Sequence, residues 1–287
     1  MIPSLPREQS NIPDSPGSLA RATPAASAPL SASGGRPEAP APLQLVGHGP
    51  PLVLVPGMDG TGRLFYRQVP GLAAHFRVAT HVLRDSTDRM DVLVDDLAAL
   101  IRGLTPAGEP AIVCGESFGG TLAMSLAVRH PELVRALVII NSFARFLPQH
   151  RLDAALLVLR LVPWGMMALV RRLTAFRLHS RFTHRDELRR FHQAMRFTTR
   201  EGYLNRLRIL KQYDVRAHLA SIAAPTLFVA STHDHLVPAM EQAEFMAARV
   251  PNAQLQVLEG HGHICLIAPG VDLAQIVARW GAVSPGG

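Results

Sequence analysis

AIVCGESFGGTLAMSLAVRH, residues 111–130, decides how the rest of the chain is read. Ala111 to Cys114 is a continuous apolar run, the pattern of a strand buried on both sides, and a helical stretch follows from Thr121 to His130. Between them stands Gly115-Glu116-Ser117-Phe118-Gly119, of the form G-x-S-x-G. A strand running into such a turn, with a helix leaving it, holds the serine on a sharp, strained bend above the first N–H groups of the helix. The glycines follow from the same geometry, since side chains at the flanking positions would collide with neighbouring elements. The bend falls at the carboxyl end of a strand, where open α/β sheets bind their ligands. Ser117 is therefore the candidate nucleophile, and a serine rather than an aspartate points to acyl transfer rather than dehalogenation or epoxide opening. Glu116 is expected to be a structural or solvent-facing neighbour.

Outward from this turn, PLVLVPG at 51–57, FRVATHVL at 76–83 and ALVIINS at 136–142 read as further strands. Leu97, Leu100, Ile101 and Leu104 recur at i, i+3, i+4 and i+7, one face of a helix over residues 90–104. About seventy Arg-rich residues of helical character follow Ser142. The alternation then resumes with PTLFVAST at 225–232, a helix from about Pro238 to Arg249, QLQVLEG at 254–260, and a helix from about Val271 to Trp280. This order predicts an α/β fold, a mainly parallel sheet with helices on both faces. Residues 43–142 and 215–287 form its core and residues 143–214 a helical insertion. No internal repeat is visible.

A serine hydroxyl becomes a useful nucleophile when a base takes its proton and an acid holds that base in one tautomer. Asp234, in STHDHLVP, and His263, in EGHGHICLIAP, each come just past an apolar strand, in the chain order Ser, Asp, His. His263 is the preferred base and His261 the alternative. Asp85 and Asp88 precede the serine and read as loop residues, Asp214 marks the insertion boundary, and His233 and His235 read as bystanders. The loop Pro56-Gly57-Met58-Asp59-Gly60-Thr61-Gly62 follows the first core strand. Met58 N–H is the expected oxyanion donor, with Phe118 N–H as the second. Gly57 and Asp59 are candidate substrate-binding residues of this loop, Asp59 also shaping its turn. The Lys and Ser/Thr that a phosphate-cradling loop needs are missing.

Composition sets the remaining limits. The 287 residues are 48% hydrophobic and 18% charged, enough apolar material for a sizeable core. Two cysteines make neither a disulfide framework nor a metal pattern: Cys114 reads as a small buried hydrophobe and Cys265 as a neighbour of the histidine. No His pair has the helical spacing, with an acid between, that a zinc site of that type needs, so no metal and no organic cofactor is expected. Of residues 1–42, 27 are Pro, Ala, Ser or Gly, which predicts a disordered tail. The tail lacks the basic start and apolar stretch of a secretory signal, so a cytoplasmic location is expected. The net charge of +7 is concentrated: sixteen Lys/Arg face five Asp/Glu between Arg145 and Arg216. That is not the pattern of a uniformly basic nucleic-acid binder, so nucleic acid is not an expected partner. The oligomeric state is left open.

LVPGMDGTG, CGESFGG, STHDHLVP and GHGHICLIAP together resemble the α/β-hydrolase superfamily over roughly residues 50–281. PGMDGTG with GESFGG is similar to a group of bacterial hydrolases and to the hydrolase-like part of plant acyl-ester synthases. The chain departs from the superfamily in carrying Pro56-Gly57 where His-Gly usually precedes the oxyanion donor. The resemblance implies a helical cap, here Arg-rich, inserted after the sixth strand, with LDAALLVLRLVPWGMMALVRRLTAF as a helix pair lining the pocket. It further implies a serine esterase or thioesterase for an apolar acyl ester, with an acyltransferase or a non-catalytic ligand-binding member of the fold as alternatives. Arg160 and Pro163 interrupt the apolar stretch and argue against a membrane-spanning helix. Peripheral contact of this basic region with a membrane surface is a further expectation.

Overall fold

A computed structural model of the chain describes residues 40–104, 108–166 and 178–282. The tail expected to be disordered lies, up to residue 39, outside them. Seven strands form one sheet: β1 (Gln44–Val46), β2 (Pro51–Val55), β3 (Arg77–Thr80), β4 (Ala111–Glu116), β5 (Val134–Ile140), β6 (Thr226–Ser231) and β7 (Ala253–Leu258). Their order across the sheet is β1-β3-β2-β4-β5-β6-β7, parallel throughout except for the antiparallel β1–β3 edge pair. The described helices are α1 (Val69–Ala73), α2 (Met90–Leu104), α3 (Phe118–Arg129), α4 (His150–Leu161), α5 (Arg185–Ala194), α6 (Arg200–Gln212), α7 (Ala239–Ala247) and α8 (Leu273–Trp280).

The continuous apolar runs are explained by two cores, one on each face of the sheet. Side chains alternate along a strand. Val53 and Val55 of β2 therefore join Leu97 and Ile101 of α2 and Leu122 of α3 on one side. Leu52 and Leu54 join Leu72 of α1 and Leu273 and Val277 of α8 on the other. A strand covered on both faces has no side left for polar residues. Truncating one of these buried leucines to alanine is expected to cost about 2–5 kcal/mol. The apolar stripe of α2 runs through Leu93, Leu97, Ile101 and Leu104, with Leu100 only partly buried at its edge.

The helical insertion enters after the fifth strand, not the sixth, since β1 to β5 are the only strands before it among the described residues. The first of these, Gln44–Val46, is an edge strand of three residues, too short to show a period of two. Within the insertion α4 ends at Leu161, with Pro163 close behind, and residues 167–177, part of the expected helix pair, lie outside the described residues. Thr199 starts α6 by accepting a hydrogen bond from Gly202 N–H at 3.0 Å, which satisfies one of the free donors of the first turn. Among the described residues no helix is long and apolar enough to cross a membrane.

Candidate active site

β4 runs into Ser117 and α3 leaves from Phe118. Ser117 has φ +53° and ψ −116°, a backbone conformation costly for any residue with a side chain. The surroundings hold it there: Ser117 N–H donates to the Ile140 carbonyl at 2.8 Å, and Ser142 Oγ donates to the Ser117 carbonyl at 2.7 Å. The glycines are sterically required. A Cβ at Gly119 would overlap the Val55 carbonyl, and one at Gly115 the carbonyl of Gly119.

The ends of β6 and β7 deliver the other two groups. His263 Nε2 lies 3.0 Å from Ser117 Oγ, and Nδ1 lies 2.6 Å from Asp234 Oδ2. Asp234 Oδ1 accepts from the Leu236 and Val237 N–H groups at 2.9 and 3.0 Å, which fixes the carboxylate with its second oxygen toward the imidazole. With Nδ1–H donating to Asp234, Nε2 carries the lone pair that accepts the serine proton. The Asp234 side chain is fully buried and that of His263 is 6% exposed. Burial alone would push the imidazole down, but the charge and hydrogen bond of Asp234, with help from Glu116, hold it above its ordinary value. This arrangement can take a proton from Ser117 and stabilise the resulting imidazolium.

His261 is not part of this chain of contacts; its ring packs on Phe182 with centroids 5.1 Å apart. His233, His235 and Asp88 are exposed, and Asp214 pairs with Arg216 at 2.6 Å. Cys114 and Cys265 are buried, and burial pushes both thiols up, away from reactivity. Sequence reasoning missed Asn141, at the end of β5 with φ +46°. Its Nδ2 donates to the His263 carbonyl at 2.8 Å and to Ser231 Oγ at 3.0 Å, while Oδ1 accepts from Ser231 N–H at 2.8 Å. One buried amide thus ties the tip of β6 to the loop that carries His263. A polar residue with a left-handed tolerance directly after an apolar strand was the available signal.

In the loop after β2, Gly60 N–H donates to the Gly57 carbonyl at 3.1 Å and closes a turn in which Gly60 has φ +72°. Asp59 shapes the next bend: its Oδ2 accepts from Thr61 N–H at 2.9 Å and from Thr61 Oγ1 at 2.7 Å. Burial raises the Asp59 carboxyl against the pull of these bonds. Gly57, Met58 and Asp59 line a cavity of about 120 Å³ together with Ser117, His263 and Glu116. Its walls include Leu64, Leu178, Phe191, Met195, Leu236 and Ile264. Phe118 begins α3, so its N–H has no acceptor within the helix. A wider surface groove of about 500 Å³, between α2 and α6, contains none of these groups.

Of the two readings of Glu116, structural or solvent-facing, the second does not hold. Rather than facing solvent it is buried on the cavity, and its Oε1 has no hydrogen-bond partner among the described residues. Burial pushes its carboxyl up to about 7, against the pull of His263. The cause is its position: the last residue of a central strand points into the sheet's own cleft. Among the described residues no group of three His, Cys, Asp or Glu side chains is placed to hold a metal ion.

The model of the α/β-hydrolase fold matches residues 50–268. "Putative carbamate hydrolase RutD" of Serratia proteamaculans is 30% identical over 80% of this chain and 90% of its own length. "Pimeloyl-[acyl-carrier protein] methyl ester esterase" of Xanthomonas campestris pv. campestris is 29% identical over 85% and 99%. A solved thermophilic esterase from Thermogutta terrifontis superposes with a TM-score of 0.74 at 22% identity, covering 83% of this chain and 91% of that one, a likeness of fold alone. With a match that spans β2 to β7 and every strand end that carries a site residue, the chain belongs to the α/β-hydrolase family.

Proposed function

We propose that the chain is a serine hydrolase cleaving carboxylic esters or thioesters through an acyl-enzyme on Ser117. The observation that carries this reading is the continuous path from Asp234 Oδ2 through His263 to Ser117 Oγ, 2.6 and then 3.0 Å, at the edge of an apolar cavity. In this reading Ser117 Oγ attacks the carbonyl carbon as His263 Nε2 takes its proton, and the negative oxygen is met by the Met58 and Phe118 N–H groups. Collapse expels the alcohol or thiol, which receives the proton from His263. Water then repeats the sequence and releases the acid. The carbamate and the methyl ester in the names of the two relatives both have a carbonyl next to a heteroatom that can leave, which agrees with this chemistry.

The cavity walls favour an apolar acyl group, and a volume of about 120 Å³ favours a short one. The residues between β5 and β6 act as a cap over it: Leu178, Phe191, Met195 and Tyr203 all belong to that segment. The test is turnover of p-nitrophenyl esters of increasing chain length by the parent protein, Ser117→Ala and His263→Ala. Hydrolysis that favours acetyl to hexanoyl over dodecanoyl chains and vanishes in both variants is expected. Undiminished turnover in folded Ser117→Ala would end the proposal.

The cap has a second role in this reading. It exposes Leu157, Leu161 and Met166 on or just after a helix that also carries exposed Arg151 and Arg160, an apolar and cationic mixture that suits peripheral contact with an anionic membrane surface. Co-sedimentation with anionic vesicles that weakens with salt is the expected result, and no binding at low salt would exclude it.

A further inference from the structure

The largest fully buried side chain among the described residues is an arginine. Arg206, on α6 of the insertion, is 1% exposed. A buried charge is tolerated only where it is paired and hydrogen-bonded, and the partners of Arg206 are informative. Nη1 donates to Asp85 Oδ1 at 2.8 Å, Nε to the Met58 carbonyl at 3.0 Å, and Nη2 to the Asp59 carbonyl at 3.4 Å. Two of these three acceptors are the backbone of the loop beside Ser117.

The surrounding sequence is fitted to this contact. Asp85 is held in turn by Thr199 Oγ1, donating to Oδ2 at 2.7 Å, and by Asn205 Nδ2, donating to its carbonyl at 2.8 Å. A Cβ on Gly60 would come within 2.5 Å of Arg206 Nη1, and one on Gly202 would overlap the Asp85 carboxylate. Glycines on two segments far apart in sequence thus leave the space the ion pair fills.

We propose that Arg206 is a positioning residue for the oxyanion loop, so that the insertion sets the rate of the chemical step as well as covering the substrate. The proposal rests on the serine-hydrolase reading above. Its geometry is that of two linked peptide planes. The Gly57 carbonyl is pinned by Gly60 N–H, and because a trans peptide is planar the Met58 N–H must point the opposite way in that plane. The next plane, which carries the Met58 carbonyl, is pinned by Arg206 Nε. Both torsions of Met58 are then fixed, one from within the turn and one from α6. Removing the guanidinium frees the second plane, and because Gly60, whose N–H pins the first, is carried on the chain beyond it, the turn bond loosens and the donor can move away from the position where negative charge develops.

The test compares Arg206→Met and Arg206→Lys with the parent protein on its best p-nitrophenyl ester. An oxyanion donor is typically worth about 10²–10³ in rate, so displacing rather than deleting one is expected to lower kcat about 10–100-fold in Arg206→Met. Lysine brings a single ammonium that cannot hold Asp85 and both carbonyls, so Arg206→Lys is expected to fall between the two. KM stays within about twofold, the signature of an interaction made only in the transition state. A trifluoromethyl ketone with the same acyl chain, which forms a tetrahedral adduct with the serine, loses affinity in step with kcat/KM. A purely structural arginine would not produce that proportionality.

Should one variant fail to fold, the other decides. A folded variant with parental kcat, or with a loss confined to KM, overturns the proposal while leaving the serine-hydrolase reading intact. A parent that neither turns over esters nor reacts with a fluorophosphonate removes both.

Discussion

The carboxyl edge of the sheet and the insertion between β5 and β6 meet around the same serine, and they hold it by different means. At the sheet edge, Ser117, Asp234 and His263 are each placed by the strand that precedes them, so their geometry is inherited from hydrogen-bonded backbone. The insertion contributes no member of this trio. It acts through single contacts made over long sequence distances: Arg206 on the Met58 carbonyl, and the Leu178 carbonyl accepting from Ile264 N–H at 2.8 Å beside the histidine loop. Gly262 is small for the same reason, since a Cβ there would lie 2.6 Å from the His179 carbonyl. A site built on the sheet can thus be tuned from the insertion without altering Ser117, Asp234 or His263.

The two regions separate most clearly in the size of the losses they produce. Ser117→Ala is expected to lower kcat by about 10⁶, the scale seen when a serine nucleophile is removed. Asp234→Asn leaves a similar shape but allows the wrong tautomer of His263, and a loss of about 10⁴ in kcat is expected. Steady-state kinetics on folded variants reads both. Arg206→Met, at about 10–100-fold, is the largest loss expected from the insertion. Parity between Arg206→Met and Asp234→Asn would contradict the division of labour drawn here.

Smaller still is the effect of Glu116 on the pH profile. Its charge helps to hold His263 above the ordinary histidine value. Catalysis needs the neutral imidazole, so activity rises as pH passes upward through the His263 value. In Glu116→Gln that support is lost, His263 drops, and the acid limb of kcat/KM moves to lower pH. Glu187, on α5 of the insertion and paired with Arg67 at 2.9 Å, serves as the control. Glu187→Gln is expected to leave the limb where it is. An unmoved limb in Glu116→Gln would show that the Glu116 charge does not reach the imidazole.

The remaining effects fall on stability. His81, beside the sheet, and His179, in the insertion, are both buried with neither ring nitrogen hydrogen-bonded among the described residues, and burial pushes each down to about 4. The unfolded chain binds those protons near pH 6.5, so stability is full above that value and declines as pH falls toward about 4. Each histidine accounts for roughly 2–3 kcal/mol across that window. Urea midpoints at pH 7.5 and 4.5 should converge in His81→Phe and in His179→Phe relative to the parent. An unchanged pH dependence in either would mean that its ring reaches solvent or a partner when protonated.

The same contrast governs what the sequence reveals. Ser117, Asp234 and His263 were legible because each stands at the end of an apolar run, and strand ends are readable from composition alone. The choice of His263 over His261 also followed from its setting, two residues further toward the apolar run. Asn141 and Arg206 were not legible. Asn141 works through His263 and Ser231, 122 and 90 positions away, and Arg206 is one of sixteen cations between residues 145 and 216. Asn141 offers locally only its place after an apolar strand, and Arg206 nothing, because the contacts that give both their meaning are ones that only folding brings near. Glu116 stayed open between a structural and a solvent-facing neighbour for a related reason: a charged residue beside a turn is ordinarily solvated, and its burial follows from its place at the end of a central strand. The insertion follows one strand fewer than expected, and the first of the five strands before it, three residues long, carries no readable period.

The most direct test of the central claim is to treat the folded protein with a fluorophosphonate, digest it, and locate the adduct by mass spectrometry. A single phosphonylated site at Ser117, lost in His263→Ala and slowed in Arg206→Met, is the predicted result. An adduct on any other residue, or none at all in folded protein that still hydrolyses esters, would contradict it.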